Sequence, residues 1–307
     1  MNRRNFLKTT GAVGAGVGLA VLGSSRLVAA ELPKGAPNAE KFGWRLGCQA
    51  YTFKQFTFFD AVDKTASLGL RCIEAYPDQR ISKDSPAVVS ADMTAADRKK
   101  ILKKLADSGV KMVNFGVGGC DRKHFEFAKE MGIETLVAEP NEGDFDAIDK
   151  LCEEFGINLA IHNHPTPSHY WNPDTVLKVC KGHSKRIGAC ADTGHWLRSG
   201  LTPLDCLKKL EGRIISFHFK DLDKRGPDAH DVPWGTGVCN VKAMLTEVRR
   251  QKLKAVFSAE YEYHWDNSLP ELVECVKYFD RVAVELAAME TNMPPEEGER
   301  LRQHHRR

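Results

Sequence analysis

From Arg45 onward, eight short apolar runs alternate with longer segments of helical period, and this repeat constrains the fold more than any other feature of the chain. The runs cover residues 46–52, 71–76, 110–115, 133–139, 158–163, 186–192, 214–219 and 254–261. Amphipathic stretches such as 95–108, 145–155, 203–210 and 241–251 lie between them. Four runs are announced alike, by Leu68-Gly69-Leu70, Ser108-Gly109-Val110, Met131-Gly132-Ile133 and Phe155-Gly156-Ile157. In each, the glycine sits where a helix ends in the left-handed conformation and an apolar residue opens the next strand. Eight such units in succession is the count of a closed barrel. The expected fold is therefore α/β, a single (β/α)8 TIM barrel over residues 41–290. An open doubly wound sheet is disfavoured, because no G-x-G-x-x-G follows the first run and the stretch 116–119 lacks that spacing.

Residues 1–30 read as an address rather than structure. Arg3-Arg4-Asn5-Phe6-Leu7-Lys8 has the twin-arginine export pattern, followed by a weakly apolar, Gly-rich run at 11–22 and a small-residue cleavage site at Val28-Ala29-Ala30. The apolar run is far shorter than the roughly 20 residues that span a bilayer. Export by the twin-arginine route without stable membrane association is expected, to the periplasm or beyond. The segment 291–307 is a polar tail to which no function is assigned.

The nine cysteines are dispersed, with no C-x-x-C pair, and read as buried small hydrophobes rather than a disulfide or zinc-finger framework. A net charge of +3, from 44 basic and 41 acidic side chains, gives no reason to expect a nucleic-acid partner. The oligomeric state, a homodimer included, is left open.

In such a barrel the working residues stand at the C-terminal ends of the strands. Run four ends at Glu139, run five at His162-Asn163-His164, run six at Asp192, run seven at His218-Phe219-Lys220 and run eight at Glu260. One strand-end carboxylate is usually a helix cap; five ionisable endings on one rim are hard to produce by capping. Glu139, Asp192, His218 and Glu260 together form the expected metal-ligand set. Three carboxylates and one imidazole suit Mn²⁺ first, with Mg²⁺, Co²⁺ or Zn²⁺ as alternatives, and without a cation the anions would repel one another.

The chain resembles the xylose-isomerase-like barrel family, usually called sugar phosphate isomerases/epimerases, over residues 43–288. The most specific motifs are Asp192-Thr193-Gly194-His195-Trp196, Phe217-His218-Phe219-Lys220-Asp221 and Ala259-Glu260. The resemblance implies metal binding by Asp192, His218 and Glu260, and contact of His195 with substrate hydroxyls. One departure matters: ketose epimerases of the family place a catalytic, metal-binding Glu where this chain has His162. The pattern is more similar to the inosose-dehydratase-like and 3-keto-glycoside-processing branches.

The expected chemistry is proton abstraction next to a carbonyl through an enediolate, on a keto sugar, 3-keto-glycoside or inosose. His164 is the favoured acid or base, since an imidazole titrates near neutrality. His162 is either a ligand or a second acid/base, and Glu139 and Glu260 are counted as catalytic as well as metal-binding. His162 and His164 share one side of the strand and Asn163 takes the other. His195, Lys220, Gln49, Tyr51 and Trp196 are expected to bind substrate, with Glu74 and Tyr76 as further rim candidates. The loop 222–238 is the candidate lid. Alternatives are a conventional sugar epimerase, a non-catalytic sugar-binding barrel, and an endonuclease relative that the charge balance disfavours.

Overall fold

All eight expected strands form: β1 (Arg45–Gln49), β2 (Cys72–Ala75), β3 (Lys111–Gly116), β4 (Thr135–Ala138), β5 (Asn158–His162), β6 (Ile187–Asp192), β7 (Ile214–Phe219) and β8 (Val256–Ala259). Each pairs in parallel with its sequence neighbour, and β8 returns to β1 through Arg45↔Val256 to Cys48↔Ala259, closing the barrel. The computed structural model describes residues 34–291, so the export segment and the tail beyond 291 lie outside the described residues. Among these residues no helix is long and apolar enough to cross a membrane.

The amphipathic stretches become the helices Ala95–Ser108, Phe145–Phe155, Pro203–Lys209 and Val241–Arg250, each within one residue of its expected end. Gly109, Gly132 and Gly156 close their helices at φ 65°, 74° and 70°, a region that carries no Cβ penalty for glycine. At the other ends, Thr94 and Asp121 accept the N–H of Asp97 and His124, and Thr57 forms a reciprocal capping box with Asp60.

Alternation along the strands separates core from site. On β7, Phe217 and Phe219 point outward, where Phe217 stacks on Phe257 of β8 at 4.4 Å, and Phe219 and Phe257 meet the long helix Leu269–Thr291 through Phe279. Side chains of this size stabilise by about 1.5–3 kcal/mol each when fully buried. His218, between them, points inward. A small inner cluster of Val137, Ala160 and Cys190 fills the barrel beneath the rim. The nine cysteines are all free, seven of them buried and Cys72 and Cys120 partly so.

The loop 222–238 is not a free lid. The Asp221 carboxylate accepts the backbone N–H groups of Leu222, Gly235, Gly237 and Cys239, and Trp234 is buried against Phe219 and Phe279. An aromatic anchor and four hydrogen bonds to one carboxylate fix this loop to the barrel, a cost in mobility that length and glycine content did not reveal.

Candidate metal and catalytic site

Glu139, His162, Asp192, His218 and Glu260 all stand at the C-terminal rim, at or just beyond the ends of β4 to β8, although strands four, five and eight end one or two residues before their expected limits. The roles are nevertheless distributed differently from the expected set. One donor atom each from His162, Asp192, His218 and Glu260 falls within 4.8 Å of the others, and all four residues are buried. Glu139 is outside this group. Its Oε1 faces Nδ1 of His162 at 3.2 Å and Nδ1 of His164 at 2.5 Å, and it also accepts the His164 backbone N–H. Its other oxygen accepts from Ser168.

An ionised carboxylate only accepts, so both imidazoles present an N–H at Nδ1, and in the neutral form Nε2 of each is left bare. Nε2 of His162 then has no hydrogen-bond partner and lies 3.6 Å from Asp192 Oδ2. This is the carboxylate–histidine arrangement that orients metal ligands. Burial opposes it, but hydrogen bonds from His162 and His164 hold the Glu139 carboxyl well below the usual range.

His218 is built the same way from the opposite side. Its Nε2 faces Glu74 Oε1 at 2.7 Å, and Nδ1 lacks hydrogen-bond geometry to any partner while standing 3.1 Å from Glu260 Oε2. Glu74, fully buried on β2, also accepts from Gln49, Asn114 and Ser258. Gln49 spends its remaining groups on the Gly116 carbonyl and the Tyr51 N–H, so it supports Glu74 although it also borders the cavity.

The field of this centre favours positive charge. Burial disfavours the charged imidazole of His218, yet Cys190, Glu74 and Glu260 outweigh it and raise the pKa well above its ordinary value. Against burial, Asp192 and Glu260 are held well below theirs by neighbouring cationic groups, Lys220 among them. The fully buried Lys220 ammonium lies 2.8–2.9 Å from Asp192, Glu260 and Glu262. Six carboxylate side chains (Glu74, Glu139, Asp192, Asp231, Glu260 and Glu262) thus gather, among the described residues, about two fixed cations, Lys220 and Arg198. Two bare imidazole nitrogens and two carboxylates around one point, with anionic charge in excess, fit a divalent ion.

A cavity of about 570 Å³ opens above the centre, bordered by Tyr51, Tyr76, His164, His195, Glu260 and Glu262 among others. That volume lies in the usual range for a small-molecule site. His164 is half exposed there, with Nδ1 tied to Glu139. Asn163 turns away, exchanging two hydrogen bonds with the Asp192 backbone, as strand alternation requires.

A sequence profile described as xylose isomerase-like TIM barrel matches residues 62–281. The chain belongs to that family. The N-terminus of this xylose isomerase-like barrel matches the twin-arginine translocation signal over residues 1–20, which indicates export by that route. Among solved structures, an uncharacterised protein from Parabacteroides distasonis ATCC 8503 is 32% identical, with a TM-score of 0.64 over 78% of this chain and 99% of that one. A D-tagatose 3-epimerase-like protein is 18% identical, with a TM-score of 0.62 over 78% and 98%. The IOLI protein with a bound zinc atom is 15% identical, with a TM-score of 0.58 over 81% and 100%. No curated protein matches the chain.

The remaining expectations for this family member divide. His195 and Tyr51 border the cavity, and Tyr51 packs edge-on against Tyr76 and Trp265. Trp196 does not reach it: the side chain is 1% exposed, on the inner face of the helix Thr193–Arg198. Lys220 is enclosed by carboxylates instead of open to a substrate oxyanion. Arg198, Asp231, Glu262 and Trp265 were not among the expected residues. Two had a signal: Glu262 follows Glu260 at strand spacing, and Arg198 follows His195 by one helical turn. Asp231 and Trp265, in loops, had none.

Proposed function

We propose that the chain is an exported, divalent-metal-dependent isomerase or lyase that moves a proton next to the carbonyl of a keto sugar, a 3-keto-glycoside or an inosose. The observation that carries this reading is the pairing, through Glu139, of a bare ligand nitrogen on His162 with an imidazole on His164 that faces the cavity. His162, Asp192, His218 and Glu260 would hold the ion. Bound there, a divalent cation supplies Lewis-acid polarisation of a substrate carbonyl, which acidifies the adjacent C–H. Two imidazole nitrogens in four donors favour Mn²⁺, Co²⁺ or Zn²⁺ over Mg²⁺, with Mn²⁺ the first choice.

His164 takes the proton on Nε2, and Glu139 stabilises the imidazolium through Nδ1–H. The same imidazole can return the proton to a neighbouring carbon or to a leaving oxygen on its own side. The acidic groups beside it are already engaged: Glu139 by two histidines, Glu260 by Lys220, and Glu262 by Lys220 and Arg198. A single mobile base therefore supports isomerisation or elimination over epimerisation by two carboxylates. Tyr51 and Tyr76 offer ring faces and edges for a sugar. Export by the twin-arginine route supports a periplasmic setting, for which an unphosphorylated carbohydrate is the fitting substrate.

The test combines metal analysis of the purified protein with incubation of 3-keto-glucosides, inososes and free ketoses in deuterated water. One divalent ion per chain and deuterium at the carbon next to the carbonyl of one substrate are expected. A released aglycone or water-loss chromophore identifies elimination. No exchange with any of the three classes would overturn the proton-transfer reading.

A further inference from the structure

Three imidazoles ring the mouth of the centre, with one ring nitrogen each from His162, His164 and His195 within 4.8 Å of the others. Taken by type alone, they could hold a second ion. Their other nitrogens, however, meet partners of opposite kind. Nδ1 of His162 and of His164 faces the Glu139 carboxylate, an acceptor. Nδ1 of His195 faces Arg198 Nη1 at 3.1 Å, and a guanidinium has donors only. An imidazole that accepts at Nδ1 carries its proton on Nε2.

We propose that Arg198 is a positioning residue that fixes His195 in the Nε2–H form, so that His195 donates to a substrate oxygen and is withheld from metal coordination. The guanidinium has no freedom to turn. Nη1 also donates to Glu262 at 2.7 Å, Nη2 to Asp231 at 3.0 Å and Nε to the Ala229 carbonyl at 3.3 Å. Its side chain is 10% exposed. Lysine could keep the charge but cannot reproduce this planar fork. The imidazole is itself placed by its backbone, because the His195 N–H is bound to Asp192 Oδ1 at 2.7 Å. The rim therefore presents one donor, with Nε2 of His195 3.4 Å from Asp192 Oδ2 and bordering the cavity, opposite one base, which suits a substrate with an oxygen next to the acidified carbon, and it leaves the centre mononuclear. The inference rests on the site described above, yet its test does not depend on turnover.

The zinc-loaded protein, labelled with ¹⁵N-histidine, reports tautomers directly through long-range ¹H–¹⁵N spectra, with His164→Asn and His195→Asn used for assignment. The Nε2–H pattern is expected for His195 and the Nδ1–H pattern for His164, with one equivalent of Zn²⁺ bound. An Nδ1–H pattern at His195, or two equivalents of Zn²⁺ in the wild type, would overturn the proposal whether or not a substrate is known. In Arg198→Lys the His195 signals move towards a tautomer mixture while those of His164 stay. A folded Arg198→Lys protein with an unaltered His195 pattern also counts against it. If Arg198→Lys does not fold, the wild-type spectrum and stoichiometry decide alone. With a substrate in hand, Arg198→Lys lowers kcat by about 10-fold with KM little changed, a fraction of the roughly 10²–10³ that loss of a transition-state donor costs.

Discussion

Replacing Glu139 by glutamine separates two roles that the residue could play. As a direct ligand, its loss would cost the ion as much as the loss of Asp192 or His218. In the structure it instead acts through His162, whose Nδ1 it accepts at 3.2 Å with a carboxylate 22% exposed. Carboxylates that orient a metal-bound histidine typically contribute 10- to 100-fold in metal affinity. At about 1.4 kcal/mol per tenfold change, Glu139→Gln should weaken binding by about 1.4–2.8 kcal/mol. Chelator competition with Zn²⁺ or Mn²⁺ measures this, with Asp192→Asn and His218→Ala run alongside. The ranking expected is a moderate loss for Glu139→Gln and a far larger one for the other two. Equal losses in all three would restore Glu139 as a ligand, and unchanged affinity would mean that the contact with His162 does not tune the centre. A second readout follows from the same oxygen: turnover should fall further than occupancy does, because the His164 imidazolium loses its anionic partner as well.

His164→Asn should retain the metal and lower kcat by about 10²–10⁴, the usual contribution of a positioned acid–base group; turnover within twofold of wild type would remove His164 from the chemistry. Glu74→Gln puts an amide N–H where Glu74 now only accepts, from His218, Gln49, Asn114 and Ser258. Hydrogen bonds to charged groups contribute about 1.5–3 kcal/mol each, so both the melting temperature and metal affinity should drop. A variant with wild-type values for both would contradict the support assigned to Glu74. Asp221→Asn should speed amide exchange at Gly235, Gly237 and Cys239 with little effect elsewhere. Unchanged exchange there would show that Asp221 does not fix the loop.

The barrel was legible because its signals are local. Apolar runs, helical period and glycine helix ends each lie within a few residues, and the strands appeared where these placed them. Residue types at the rim were legible for the same reason, since each closes its own strand. Which of them converge was not. Glu139 and His162 both stand near strand ends, but the Glu139 carboxylate is taken up by Nδ1 of His162 and of His164 and lies outside the group that meets at the metal centre. His162 is still the last residue of β5 and stays aimed at it. Glu74 illustrates a second limit: it supports His218 from 144 residues away, a proximity created only when the barrel closes. Tryptophans mark the third. Trp196 and Trp234 sit in connecting segments where sugar contacts are common, yet packing against neighbouring apolar surface decided their orientation.

The nine free thiols acquire a different significance beside the twin-arginine signal. A polypeptide threaded unfolded into an oxidising compartment would expose nine cysteines to pairing at random, and the wrong disulfides would compete with folding. This chain is expected to cross already folded, with seven of those sulfurs sealed inside. Burial raises the Cys48 thiol to about 12 and that of Cys180 to about 11, which suppresses the thiolate on which oxidation depends. The barrel wall would thus serve as redox insulation, and folding before export would let a cysteine-rich interior persist in an oxidising compartment.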